Sequence, residues 1–468
     1  LSADYADDAD FFRVFRMGET NCIAAEGPEG KLRRVGRGHG DQTKRTGFMN
    51  LTEKLYRVAA EIYAERDVNV EAAMQRLDQI PLSINAWQGD DVNGFEDTGH
   101  ALTGGCQVTG NYPGCARNAD ELRQDLDKAL SLLPGKALRV CLQAHEVDCM
   151  MPGRDRDAFT LENFAVWLEW AAQRGLGMDI APVYYSHPKL VNGLSLSSPD
   201  PDIRRFWINH GKAVRRIGAA FGRRLGSPTV CNVWVPDGYK DRPVNRRAPR
   251  ERLLEALDET FAEKFPETEL LDAVESKLFG IGVESYTVGS NDFYLPYTAT
   301  RNKLICYDTG HFHPRESVAD KISAICCQQG RILLHISRGV HWDSDHVPLL
   351  DDALLDLARE SVRNDNGHNL YFTLDFFDAS INRIAAWVVG ARNWQKALLI
   401  ALLEPAAGLA HAEAAGDFTS CLVGQEAQRS LPWGAVWNYY CESRGVRLDD
   451  AVLEPIRQYE RDVLSRRA

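Results

Sequence analysis

Eight short apolar segments, alternating with amphipathic ones, constrain this chain more than any other feature. They are PLSINAW (81–87), LRVCLQAH (138–145), GMDIAPVYY (177–185), TVCNVWV (229–235), LLDAVE (270–275), KLICYD (303–308), RILLHIS (331–337) and LYFTLD (370–375). Each is rich in apolar or β-branched residues and stops where polar residues or glycine take over, which is the pattern of a buried strand. Between them fall helical stretches such as NADELRQDLDKALSLL, LENFAVWLEWAAQR, RERLLEALDETFAEKF and DDALLDLARESV. Strands spaced by helices pair in parallel, which gives an α/β class. Eight such units predict a closed (β/α)8 TIM barrel with its active site on the carboxyl face. An open doubly wound sheet is the rival, but no G-x-G-x-x-G follows any strand.

The flanks differ from this core. Residues 1–48 carry eight acidic and eight basic residues, many glycines and no sustained apolar period, and are expected to be a poorly ordered extension. A clean helical pattern starts near Met49, so the barrel domain is placed at 49–388. Residues 389–468 read as a C-terminal helical extension, expected to contact other subunits of an oligomer.

Bulk composition excludes several function classes. A net charge of -12 argues against non-specific nucleic-acid binding, which needs basic surface to displace counterions. No run of eighteen apolar residues exists and the acidic start does not resemble a signal peptide, so no membrane association and a cytoplasmic location are expected. The eleven cysteines are scattered without a C-x-x-C pair, as in a protein with reduced, mostly buried thiols.

Four of the strands in succession end in a metal-capable side chain: Glu275, Asp308, His335 and Asp375. The intervals are 33, 27 and 40 residues, about one strand-plus-helix unit each, so all four ends arrive on the same rim. One such carboxylate alone is as well explained by a salt bridge to a neighbouring strand. Four together are not, because buried charge needs ligation or pairing. Asp308-x-x-His311 and Asp343-x-Asp345 add an imidazole and two carboxylates, enough for a second divalent ion, with His313 competing with His311. Oxygen-rich ligation with one imidazole per ion favours Mn²⁺, Mg²⁺ or Co²⁺ over a thiolate zinc site, and no cysteine is expected to compete.

Two close cations serve phosphate-ester hydrolysis or the polarisation of adjacent sugar oxygens. Trp87, Trp234 and Tyr185 end strands and offer flat faces to the C–H surfaces of a monosaccharide, while the surrounding loops are acidic, which favours the sugar. Lys277, two residues past Glu275, points to the same side and can stabilise developing negative charge on a carbonyl oxygen. Simple pairing with Glu275 is its plainer reading.

The motifs WQGDDVNGFE (87–96), LTGGCQVTGNYPG (102–114), NVWVPDG (232–238), DAVESKLFGIGVESYTVGSN (272–291), GHFHP (310–314), WDSDHV (342–347) and LDFFDASINRIAAWV (374–388) closely resemble those of the L-rhamnose isomerase family, in family order. The resemblance runs from about Met49 to the C-terminus. It implies a (β/α)8 barrel enzyme, a cytoplasmic homotetramer that interconverts L-rhamnose and L-rhamnulose by a metal-assisted hydride shift, with two divalent ions per subunit. Mn²⁺ is the expected ion, with Zn²⁺, Co²⁺ or Mg²⁺ as alternatives for one of them. It implies a tighter metal site from Glu275, Asp308, His335 and Asp375, and a catalytic ion on His311, Asp343 and Asp345 with Asp308 as bridge. Catalytic roles fall to Lys277, Asp375 and Asp343, and substrate contacts to Trp87, Trp234 and Lys277. The chain departs from the family pattern at Asn85-Ala86 and at Arg338-Gly339-Val340-His341. Another sugar such as L-mannose or L-lyxose is the alternative substrate, and a metal-dependent barrel nuclease or an inactive sugar-binding protein the alternative class.

Overall fold

The computed structural model describes residues 50–96, 102–150, 154–278, 280, 282–341, 344–363 and 369–467. The extension 1–48 and Asp343 lie outside the described residues. Eight parallel strands among them close into a barrel: β1 (Leu82–Asn85), β2 (Leu138–Gln143), β3 (Gly177–Ala181), β4 (Thr229–Trp234), β5 (Leu270–Glu275), β6 (Leu304–Asp308), β7 (Ile332–Ile336) and β8 (Leu370–Leu374). Neighbours around the ring are neighbours in sequence, and β8 closes on β1. The expected (β/α)8 architecture is therefore present, followed by a set of C-terminal helices.

Helix ends follow local chemistry. Asn50, Asn118, Asp351 and Asn382 each cap a helix by accepting a hydrogen bond from the backbone N–H three residues on. Asp200 caps the long helix Pro201–Leu225, which opens on proline and ends at Gly226 in the left-handed region. The helix Arg383–Leu402 runs across the position where the sequence changes from barrel to tail. Its apolar length is explained by burial, since Trp387 and Trp394 are fully enclosed. Among the described residues no single helix is long and apolar enough to cross a membrane.

Several strands end earlier than the sequence implies, and at two of them an aromatic site candidate lies beyond the strand. β1 stops at Asn85, and Ala86–Gln88 form a 3-10 turn that carries Trp87. This turn lies tight against the helix layer: a Cβ on Gly89 would sit 2.4 Å from Leu122 and 2.6 Å from Trp387. The Trp387 indole donates to the Asn85 carbonyl at 2.7 Å, which ends the strand and anchors the turn. β3 stops at Ala181, so Tyr185 sits on the loop beyond it.

Candidate active site

Register decides which side chains share the barrel mouth. Asp308 pairs with His335 across β6 and β7, and Thr373 pairs with His335 across β7 and β8, so Asp375 points inward two residues further on. Trp234 pairs with Glu275 across β4 and β5. Residues directly opposite in a sheet point to the same face, and here that face is the barrel interior.

Ligand atoms of Glu275, Asp308, His335 and Asp375 consequently lie within 4.8 Å of one another, spacing that can hold a cation. A second group of the same compactness joins Asp308, His311 and Asp345, with Asp308 common to both. His335 Nδ1 is 2.8 Å from Asp375 Oδ2 and 3.4 Å from Glu275 Oε2. His311 Nδ1 is 3.1 Å from Glu275 Oε1 and 3.0 Å from the Ser276 carbonyl. His311 is buried in this pocket, whereas His313 is exposed and borders a separate outer cavity. Of the residues chosen from sequence, Trp87, Trp234, Glu275, Lys277, His311, His335, Asp345 and Asp375 line one cavity, with Asp308 buried beside them.

Electrostatics test whether cations fit. Three carboxylates are packed together out of water, an arrangement that is costly unless positive charge sits among them. Burial, reinforced by the Asp375 and Glu275 charges and opposed by His311, pushes the Asp308 carboxyl well up. Burial would also raise Glu275, but the His335 and His311 rings outweigh it and hold the carboxyl low. Asp308 Oδ2 and His335 Nε2 are buried with no hydrogen-bond partner among the described residues. Orphaned donor atoms of this kind, aimed into an acidic pocket, are suited to divalent ions.

One expectation needs correcting. Cys306 faces inward on β6, level with Glu275, and its sulfur falls within 4.8 Å of ligand atoms of Glu275 and His335. A cysteine is thus near enough to compete. Burial, opposed by the His335 ring and reinforced by the Glu275 charge, pushes its thiol pKa well up.

Supporting residues were not visible in the spacing of strand ends. Asn232 Nδ2 donates to Glu275 Oε2 at 2.5 Å, and Asn232 sits two residues before Trp234 on the same inward face of β4. Ser337 Oγ and the Gly310 N–H both donate to Asp308 Oδ1, at 2.5 and 2.6 Å. The period-two pattern of β4 could have identified Asn232, but nothing local marks Ser337. Lys277 Nζ lies over the Trp234 ring, 4.6 Å from its centroid, and Trp234 stacks near His311 at 6.5 Å. Asn85 is buried, and its amide donates to the Phe376 carbonyl at 2.5 Å, so it ties β1 to the segment after β8.

The model of a family described as L-rhamnose isomerase matches residues 49–467. An L-rhamnose isomerase of Cronobacter sakazakii is 54% identical over 412 residues, 88% of this chain and 98% of that protein. One of Salmonella typhi is 52% identical over 416 residues, 89% of this chain and 99% of that protein. Among solved structures, a D-psicose 3-epimerase from Clostridium cellulolyticum H10 gives a TM-score of 0.40 at 13% identity, covering 60% of this chain and 92% of its own. With the family match spanning barrel, pocket and C-terminal helices alike, the chain belongs to the L-rhamnose isomerase family.

Proposed function

We propose that this enzyme interconverts L-rhamnose and L-rhamnulose in L-rhamnose catabolism. In the forward direction the hydrogen on C2 moves to C1 as hydride, and the proton on O2 moves to O1. The observation that carries the reading is family membership over the whole barrel, together with two potential cation sites that share Asp308. Glu275, Asp308, His335 and Asp375 would hold one divalent ion, and His311, Asp343 and Asp345 with Asp308 the other, Mn²⁺ being the expected metal. Bound there, such ions supply Lewis acidity to adjacent sugar oxygens.

The chain's own groups do the remaining work. Asp375 takes the O2 proton, held in place by the Trp87 indole N–H at 3.1 Å and by His335 at 2.8 Å. The Lys277 ammonium donates to the carbonyl oxygen and stabilises negative charge there, and its place over Trp234 limits where it can reach. Trp87 and Trp234 pack on the C–H faces of the sugar and keep water out. The enzyme so proposed is a cytoplasmic homotetramer, and exposed apolar side chains support contacts between subunits. Phe418, Leu422 and Val423 are each more than 60% exposed on one short helix, and Leu51, Leu55 and Val58 form an exposed apolar stripe on another.

The test is to strip the protein with EDTA, add L-rhamnose, L-mannose or L-lyxose, restore Mn²⁺ and score ketose. Metal-dependent product from L-rhamnose, at the highest kcat/KM of the three, is expected. Product from another sugar alone, or cleavage of abasic DNA without any ketose, would contradict the assignment.

A further inference from the structure

Two of the apolar runs open on a cation, Lys303 one residue before β6 and Arg331 one residue before β7. Parallel strands bring such starts to one rim. The strands that deliver Asp308 and His335 to the mouth therefore carry Lys303 and Arg331 to the opposite end of the barrel. β5 starts there too, at Leu270, about 17 Å of strand away from Glu275. A cavity of about 280 Å³ lies at this rim, where Arg215, Lys264, Arg301, Lys303 and Arg331 face only two lining carboxylates, Asp272 and Glu267.

Pairing leaves positive charge over. Arg331 places its terminal nitrogens on Glu267 at 2.6 and 2.9 Å, and Arg301 is offset from behind by Asp258 at 2.5 and 2.9 Å. Arg215 grips Asp272 with two nitrogens at 2.7 and 2.9 Å, and Lys303 donates to that same carboxylate. Lys264 donates to a neutral partner, the Phe261 carbonyl, at 3.1 Å. Five cations thus meet three carboxylates, with Lys303 and Lys264 in excess.

Little water reaches this charge, since Arg215 is 1% exposed and the Lys303 side chain 10%. The Phe261 ring faces both, 5.2 Å from Arg215 and 4.9 Å from Lys303. A ring quadrupole attracts cations but adds no net negative charge. Burial, opposed by Asp272 and reinforced by Arg215 and Lys264, pulls the Lys303 ammonium below its ordinary value. Buried charge of one sign is costly unless a counter-ion joins it.

We propose that this cavity is a binding site for a dianionic phosphate group, with Lys303 and Lys264 as its charge partners. A phosphate monoester near neutral pH carries about -1.5 to -2 charges, which matches the surplus. An ammonium has three N–H donors, and Lys303 spends one of them on Asp272. Each donor left over makes a charge-assisted hydrogen bond to a phosphate oxygen. A water takes about 30 Å³ of liquid, so the cavity has room for a short carbon chain beside the phosphoryl group. The site lies outside the sugar pocket and does not depend on the isomerase reading.

The test is titration calorimetry of Mn²⁺-loaded enzyme, freed of excess metal, with inorganic phosphate and with glycerol 3-phosphate, each against sodium chloride of equal ionic strength. Saturable binding at one site per subunit is expected. Lys303→Met, which leaves Asp272 paired with Arg215, should weaken it about tenfold or more, and Lys264→Met by a smaller factor. Glu267→Gln frees Arg331 and should tighten binding, a gain that misfolding cannot imitate. Equal affinity for the two probes would assign recognition to the phosphate group alone, and tighter glycerol 3-phosphate would place the carbon chain in the cavity, both in support. Binding that none of the three substitutions changes, as at the mouth cations, or no saturable heat from either probe, would overturn the proposal.

Discussion

Trp87 donates its indole N–H to Asp375 Oδ1 at 3.1 Å, across the seam where β8 closes on β1. The other Asp375 oxygen faces His335 Nδ1 at 2.8 Å. The carboxylate is thus oriented from both sides, and a tryptophan chosen from sequence only for its flat face also orients the carboxylate proposed as the proton acceptor. Trp87→Phe keeps the ring and deletes the donor. It should lower kcat about tenfold, the worth of one hydrogen bond to a charged group, with little change in KM. Trp87→Ala should raise KM as well. Steady-state kinetics on L-rhamnose separates the two.

Asn232 does for Glu275 what Trp87 does for Asp375. Its amide donates to Glu275 Oε2 at 2.5 Å from the neighbouring strand. Removing a partner that orients a ligand costs about 10- to 100-fold in metal affinity. Asn232→Leu should show that loss for Mn²⁺ by titration calorimetry, with the far-ultraviolet circular dichroism unchanged.

Asp345 lies outside the four strand-end ligands but in the group that contains His311 and Asp308. Asp345→Ala should reduce turnover by about a hundredfold or more, because a cation that polarises substrate oxygens contributes several kcal/mol to the transition state. Thermal unfolding should stay close to wild type, since the Glu275 group remains whole. Large destabilisation with only a modest loss of rate would place Asp345 in a structural role instead.

A pH effect on stability is expected away from the metal site. Glu146 and Asp90 are both completely buried, and Glu146 Oε1 has no hydrogen-bond partner among the described residues. Burial, with the Asp90 charge beside it, pushes the Glu146 carboxyl well up, and burial likewise takes Asp90 up to about 7. Native acids raised in this way hold protons that the unfolded chain releases, so stability falls as pH climbs from about 4 toward the raised values. Glu146→Gln keeps the acceptor for the Gln143 N–H and removes one charge. The variant should resist urea better than wild type at pH 8, by on the order of 1 kcal/mol, and differ little at pH 5.

The barrel was legible because each strand is a compact apolar run bounded by polar residues, and LLDAVE (270–275) coincides with β5 to the residue. Burial on both faces makes such strands read as continuous apolar runs. Strand ends were less clear. Trp87 rides a 3-10 turn and Tyr185 a loop, because pairing stops where Trp387 captures the Asn85 carbonyl and where β3 runs out at Ala181. The ends of the long helix Pro201–Leu225 are marked in the sequence by Asp200, Pro201 and Gly226.

In the pocket, the residues carrying charge were readable from their spacing, since one ligand per strand is a one-dimensional signal. Those that orient them were not. Ser337 reaches Asp308 only through the pairing of β6 with β7. Cys306 escaped notice because its inward direction depends on register with Glu275, which a single strand does not reveal.

The central claim is that acidic and imidazole groups from successive strands form two cation sites joined by Asp308. Metal counting by mass spectrometry, after Mn²⁺ loading and gel filtration, tests it most directly. The account predicts about two ions per subunit for wild type, about one for His311→Ala, and substantially less than one for Asp308→Ala, which belongs to both groups. Two ions retained by a folded Asp308→Ala protein would contradict it.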